Sequence, residues 1–391
     1  MKTRYTFHTV LLIALLLGGL FHFSACTSDS KRAETQISVS TPPRPAGQTD
    51  VVGLTCEPIE TVRIGFIGLG ARGTEAIRRF TYQKGIQVKA LCDLNQFRVD
   101  SCQNMLSRAN MPEATTYYGS EDVWKQVCER DDIDLIYIAT DWIHHAPMMI
   151  YAMEHGKHVA CEVPAAMTLD EIWKVIDTAE RTRKHCMMLE NCVYDFFEIT
   201  TLNMAQQGLF GNITHVKGAY NHCLYDIWPD YNADWRMQYN MAHRGDVYPT
   251  HGMGPACQLL DIHRGDRMKY LVAMDSDPVS LPDYLDKHGR TEDAKSRLME
   301  QYKDPIIKDM EERAKEVGGH GGMDFIMDSR LIYCLHNGLP LDMDVYDLAE
   351  WCSLIPLTKL SIENGSVPVE VPDFTRGAWN KIQGYRHAFA Q

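Results

Sequence analysis

Val62 to Ile67 form an unbroken, mostly apolar run that leads straight into Gly68-Leu69-Gly70-Ala71-Arg72-Gly73. A run of that kind marks a strand buried on both faces. GxGxxG is a weak signal alone, but here it stands between such a strand and a helical pattern over Thr74–Tyr82, where each glycine has its own task. Gly68 makes the turn, Gly70 lets a pyrophosphate approach the backbone, and Gly73 lets helix pack on strand. The helix N-terminus then faces the phosphates. Asp93 ends a second strand, Val88–Cys92, at the spacing where a carboxylate binds a ribose 2′-hydroxyl and repels a 2′-phosphate. The expectation is a site for NAD rather than NADP, with a tight structural turn as the plainer alternative.

The alternation continues. Leu135–Ala139 reads as a strand, followed by a helix to His155. His158–Cys161 is the next strand, Leu169–Thr182 a helix and Met187–Leu189 a short strand. Strand and helix in turn imply an α/β fold, a Rossmann doubly wound parallel sheet over residues 61–190. The texture then changes. Ile213–Tyr220 and Tyr270–Met274 read as strands, Pro255–Ile262 and Phe325–Leu335 as helices, and Glu292–Val317 as charged and helical. Residues 191–391 are therefore expected to form a C-terminal α+β substrate domain with a reduced sheet.

The first residues read as a targeting segment. Lys2 and Arg4 precede the apolar run Val10–Leu20, which is too short for a lasting membrane span. Phe23-Ser24-Ala25-Cys26 resembles a bacterial lipobox. The expectation is a lipoprotein signal over 1–26, with Cys26 lipidated and the protein exported to the periplasm or outer membrane; a plain secretory signal is the alternative. Residues 27–60, rich in Ser, Thr, Pro and Gly, read as a flexible tether. A net charge of −13 argues against a nucleic-acid partner. Twelve cysteines show no CxxC spacing, so buried free thiols are expected rather than a disulfide framework.

Trp142, Ile143, His144 and His145 follow a strand end and are placed at the ligand crevice. Adjacent histidines point apart and no third ligand stands at a suitable spacing, so no metal is expected. Gly156-Lys157-His158-Val159-Ala160-Cys161-Glu162-Val163-Pro164 resembles the glucose–fructose oxidoreductase and inositol dehydrogenase motif, with Val163 where that superfamily has its catalytic Lys. One branch makes the same change. The chain resembles glycoside hydrolase family 109, the NAD-dependent α-N-acetylgalactosaminidases. The likeness rests on Gly70-Ala71-Arg72-Gly73, Glu162-Val163-Pro164-Ala165-Ala166, Glu190-Asn191, Gly218-Ala219-Tyr220, Tyr248-Pro249-Thr250-His251-Gly252 and Ile262-His263-Arg264-Gly265-Asp266. His320-Gly321-Gly322-Met323-Asp324-Phe325 and Pro372-Asp373-Phe374-Thr375-Arg376-Gly377 extend it.

That resemblance implies that Ala71, Arg72, Asp93, the Trp142–His145 loop, Glu162, Val163, Asn191 and Tyr248 contact NAD. It implies that Tyr220, Arg236, Tyr248, Pro249, Thr250 and His251 contact a sugar, with Tyr248 and His251 catalytic. Plainer roles stay open: an aromatic core residue for Tyr248 or Tyr220, a helix cap for His251, a surface ion pair for Arg236. The implied chemistry is redox-neutral. Hydride leaves sugar C3, the C2 proton becomes acidic, the glycosidic oxygen is eliminated, water adds, and the hydride returns. NAD-dependent glycosidases are a recognised exception to the two-carboxylate rule. Histidine, ordinarily titrating at about 6.5, suits the proton transfers. A recycled cofactor also suits an exported protein, because it need not exchange. Members of the family carry several strands and a Pro-Arg-Pro-Tyr segment after the stretch matching Leu271–Ser276, and these are missing here. A sugar oxidoreductase, or an impaired NAD- and sugar-binding lipoprotein, are the competing readings.

Overall fold

The computed structural model describes residues 36–221, 235, 236, 239, 243, 245–274 and 304–390. Six parallel strands form the main sheet: β1 (Val62–Ile67), β2 (Ile86–Cys92), β3 (Thr115–Tyr117), β4 (Leu135–Ile138), β5 (His158–Cys161) and β6 (Cys186–Met188). Their order is β3-β2-β1-β4-β5-β6. The order reverses between β1 and β4, and ligands of such sheets bind beyond the strand ends at that switch. Every residue of β4 and β5 is buried. Helices on both faces leave no solvent side, which is why these strands read as unbroken apolar runs.

The helices of this half are α1 (Ala71–Phe80), α2 (Gln96–Arg108), α3 (Val123–Cys128), α4 (Trp142–Glu154) and α5 (Leu169–Thr182). Thr168 and Glu171 close a reciprocal capping box at the start of α5, satisfying two otherwise orphaned N–H groups. The second half contributes α6 (Phe196–Gln206), α7 (Thr250–Leu259), β7 (Tyr270–Leu271), α8 (Pro305–Val317), α9 (Met323–Asn337), α10 (Val345–Glu363) and β8 (Val369–Glu370). α10 packs on α5 and β6, and α9 on α1. Between α1 and α9 the fully buried Arg79 donates to Asp328 at 2.6 Å, so the two halves share one core. The Ile262–Asp266 motif ties down α10 within the second half: His263 contacts Glu350 at 2.8 Å, and Arg264 grips both oxygens of Asp347.

Three expectations are corrected. Ile213–Tyr220 runs without strand pairing among the described residues, and a strand pattern becomes a strand only beside a partner. The Tyr270–Met274 strand shortens to β7, whose partner β8 lies about a hundred residues downstream and was invisible to a local pattern. The tether expectation fails for residues 37–60, which form a strap held along its length. Ile37 donates to the Pro368 carbonyl at 2.9 Å, Arg44 binds Glu180 at 2.7 Å, Val51 is buried, and Ile59 donates to the Leu335 carbonyl. Polar composition alone does not distinguish a solvated linker from a strap whose few apolar residues all find a surface. The lipobox with Cys26, and residues 292–303 of the charged helical stretch, lie outside the described residues. Ten described cysteines are free thiols, eight of them buried.

Candidate active site

The glycine turn is shaped by close approach. Gly68 has φ +88°, and a side-chain carbon there would stand 2.6 Å from the Ala139 carbonyl; one on Gly73 would stand 1.9 Å from the Gly68 oxygen. Gly70 is different. It caps α1 in ordinary backbone, and a carbon added there meets only Arg98, at 3.9 Å. The two flanking glycines are therefore packed into the fold, while Gly70 faces an open cradle at a helix N-terminus. Asp93 stands beside it, accepting from Leu69 N–H at 2.7 Å and Asn95 N–H at 2.8 Å. The carboxylate thus holds the turn it serves.

Arg72, in the first turn of α1, reaches across the crevice. Its guanidinium donates to Glu162 at 3.1 Å and to Asp324 of α9 at 3.1 Å. The Glu162 charge beside it, helped by Asp324, raises its pKa further and keeps it cationic. Glu162 also accepts from the Tyr137 hydroxyl at 3.1 Å, and Val163 is buried behind it. Asn191 donates to Asp324 at 2.5 Å, and its own Oδ1 is buried without a hydrogen-bond partner among the described residues. An acceptor of that kind normally has something to meet.

The Trp142–His145 segment divides. Trp142 is buried and faces the second half, and Ile143 is exposed. His144 turns to the capping residue Asp141 at 2.5 Å. His145 is buried between the carbonyls of Pro164 and Thr140, and burial lowers its pKa. The neighbouring imidazoles go to separate partners. His145 braces α4 against the segment after β5.

Tyr248 and His251 come together at the start of α7, with ring centres 4.9 Å apart. Tyr220 closes the group, 4.4 Å from His251 and 5.8 Å from Tyr248. Trp142 stacks on Tyr248 at 5.7 Å, and the Arg236 guanidinium lies 4.9 Å from the Trp142 ring and 4.7 Å from that of Tyr248. Trp142 from the cofactor side therefore meets the sugar-side residues directly, through Tyr248 and Arg236. His251 Nδ1 hydrogen-bonds Glu190, a fully buried carboxylate that also accepts from Cys192 N–H and whose second oxygen has no partner among the described residues. His251 makes no helix cap. Tyr220 is 43% exposed, which removes the core alternative for it. Burial pushes the Tyr248 phenol well up, so it stays protonated at neutral pH. Pro249 and Thr250 are buried at the start of α7. A cavity of about 630 Å³ opens beside His251 and Gly252, walled by Phe197, Phe210 and Lys217.

Glu190, Asp324, His320 and Tyr137 carry much of this geometry. The first three lie in quoted motifs, yet their partners are far off in the chain: Glu190 meets His251 and Asp324 meets Arg72. No local pattern shows such pairs.

The class follows from the sheet order, the glycine cradle and Asp93: this is an NAD-binding Rossmann protein with a second domain closing over the crevice. A profile described as an oxidoreductase family with NAD-binding Rossmann fold matches residues 62–190, and that of the glycosyl hydrolase 109 C-terminal domain matches 194–298 and 288–381. The chain belongs to glycosyl hydrolase family 109, and its cofactor is NAD. It is 54% identical to glycosyl hydrolase family 109 protein 1 of Bacteroides fragilis, over 97% of this chain and 99% of that one. A Porphyromonas gingivalis member is 53% identical over 91% and 93%. An α-N-acetylgalactosaminidase of Bacteroides fragilis is 43% identical over 85% and 96%. Among solved structures, the WlbA dehydrogenase of Bordetella pertussis shares the fold, with a TM-score of 0.56 and 13% identity over 81% of this chain and 99% of that one. A Klebsiella pneumoniae oxidoreductase gives 0.55 and 15% over 83% and 98%. The residues present fit the cofactor: Gly70 leaves room at a helix N-terminus, Asp93 suits a ribose hydroxyl, and Asn191 offers an unused buried acceptor.

Proposed function

We propose that this protein is an NAD-dependent α-N-acetylgalactosaminidase working without net redox. The observation that carries the reading is the buried Glu190–His251 contact, set beside Tyr248 where that ring meets Trp142 from the cofactor half. Bound NAD supplies a hydride acceptor that later gives the hydride back. Glu190 fixes the imidazole through Nδ1, which leaves Nε2 to take and return a substrate proton, and its charge stabilises the imidazolium formed. Tyr248, protonated, donates or relays. Tyr220 and Arg236 with the aromatic rings form the wall for the sugar. The 43% identical α-N-acetylgalactosaminidase supports the substrate class.

The test is nitrophenol release from a nitrophenyl α-N-acetylgalactosaminide, run in D2O. The expected result is turnover with no NADH build-up, deuterium at C2 of the released sugar, and loss of both with His251→Ala. Accumulating NADH with an oxidised sugar would show an oxidoreductase instead. A second reading has its own support. The alignment with the 54% identical relative spans 463 positions against 391 residues here, so that relative carries sequence this chain lacks. Tight NAD with no glycoside turnover would favour a binding protein.

We also propose export as a lipoprotein anchored through Cys26, resting on the Lys2–Cys26 pattern. Cys26→Ser should abolish palmitate labelling and partition into detergent; unchanged labelling would overturn it.

A further inference from the structure

The loop before α9 holds positive φ at five consecutive residues, Gly318 to Gly322, and the one without glycine's freedom is His320, at φ +43°. A histidine in the left-handed region is uncommon, and such backbone gathers at functional sites. Its side chain has a definite setting. Nδ1 lies 2.9 Å from Asp324 Oδ2, 3.4 Å from Arg72 Nη1 and 3.5 Å from Asn191 Nδ2. His320 thus stands between the two residues that frame the crevice at the N-terminal turn of α1. Yet the side chain is 59% exposed, although its carboxylate partner is 1% exposed. With Nδ1 turned to Asp324, the ring presents Nε2 on its other edge.

We propose that His320 is a cofactor-binding residue, its Nε2–H donating to a phosphate oxygen of the dinucleotide. The placement comes from Arg72, since the helix start that carries Arg72 is the end that attracts phosphate. The charges agree. Arg72 is already matched by Glu162 and Asp324, and Arg79 by Asp328. Those two guanidiniums face three carboxylates, so a protonated His320 brings the cluster to balance and removes the negative excess that would oppose a phosphate. Asp324 favours that protonation, while Arg72 and Arg79 oppose it, and the balance raises the pKa. His320 would make cofactor affinity depend on pH from the substrate half of the molecule. The inference rests on the NAD assignment.

The test is equilibrium titration of the full chain, freed of bound nucleotide, with NAD and with ADP-ribose at pH 6 and pH 8, read by tryptophan fluorescence. His320→Asn is the variant, because asparagine tolerates the left-handed backbone. Wild type should bind both nucleotides more tightly at pH 6 than at pH 8. The variant should bind about tenfold more weakly at pH 6, as expected for a lost charge-assisted hydrogen bond, and show no pH dependence. His320→Gln, with the same readout, covers a variant that does not fold. Unchanged affinity overturns the proposal. So does an equal loss at both pH values, or a loss for NAD that ADP-ribose does not share. Failure of wild type to bind NAD at all would instead defeat the cofactor assignment.

Discussion

Asp324 and Arg72 meet at 3.1 Å across the line between the two halves, and the same carboxylate accepts from Asn191. Burial by itself would raise the pKa of Asp324, but His320, Arg72 and Arg79 outweigh it and hold the acid well below the usual carboxylate range. The group is depressed on folding, so its stabilisation is present above the unfolded value of about 3.9 and lost as pH falls below it. His320 is raised, chiefly by its bond to Asp324, so its share is present below about pH 6.5 and lost as pH rises through the higher folded value. Thermal midpoints from pH 3 to pH 8 should therefore fall on the acid side, and Asp324→Asn should flatten that limb. An unaltered acid limb in the variant would contradict the assignment.

In the proposed mechanism Glu190 acts through His251, whose Nδ1 it holds. Glu190→Gln keeps the shape and an acceptor for Cys192 N–H while removing the charge that favours imidazolium. The expected loss is about 100-fold in kcat with KM little changed, together with a shifted pH profile. Steady-state kinetics across pH check this. A matching loss in thermal stability with an unshifted profile would mark a structural role only.

The glycines of the turn should separate fold from binding. Gly73→Ala forces a carbon onto the Gly68 oxygen and should cost about 2–4 kcal/mol, read by denaturant unfolding. Gly70→Ala meets nothing closer than 3.9 Å, so stability should change by less than about 0.5 kcal/mol while NAD affinity collapses. Retained affinity in Gly70→Ala would place the phosphates elsewhere.

The strap predicts a cost that a loose tether would not show. Val51 is 3% exposed, so Val51→Ala should destabilise by about 1–2 kcal/mol. A neutral result in equilibrium unfolding would restore the tether reading.

How much was legible follows the range of each interaction. The glycine turn, Asp93 and five of the six strands come from local patterns, because a strand buried on both faces and a tight turn each constrain a few adjacent residues; β3, three mostly exposed residues at the sheet edge, left no such pattern. α10 was missed although Asp344 and Asp347 form a capping box at its start. Thirteen of its nineteen residues are buried, and a helix covered on most sides shows no apolar stripe. The motif resemblance named His251 and Tyr248, but their surroundings came from elsewhere: Glu190 sixty-one positions away, and Trp142 from the cofactor half.

The sequence by itself determined the dinucleotide turn and the alternation of strand and helix, since hydrophobic period and glycine spacing act over short distances. The tertiary structure alone decided that Glu190 holds His251, that Asp324 holds Arg72, and that residues 37–60 lie down as a strap. Those contacts join groups far apart in the chain, and their strength comes from burial that exists only once both halves have packed.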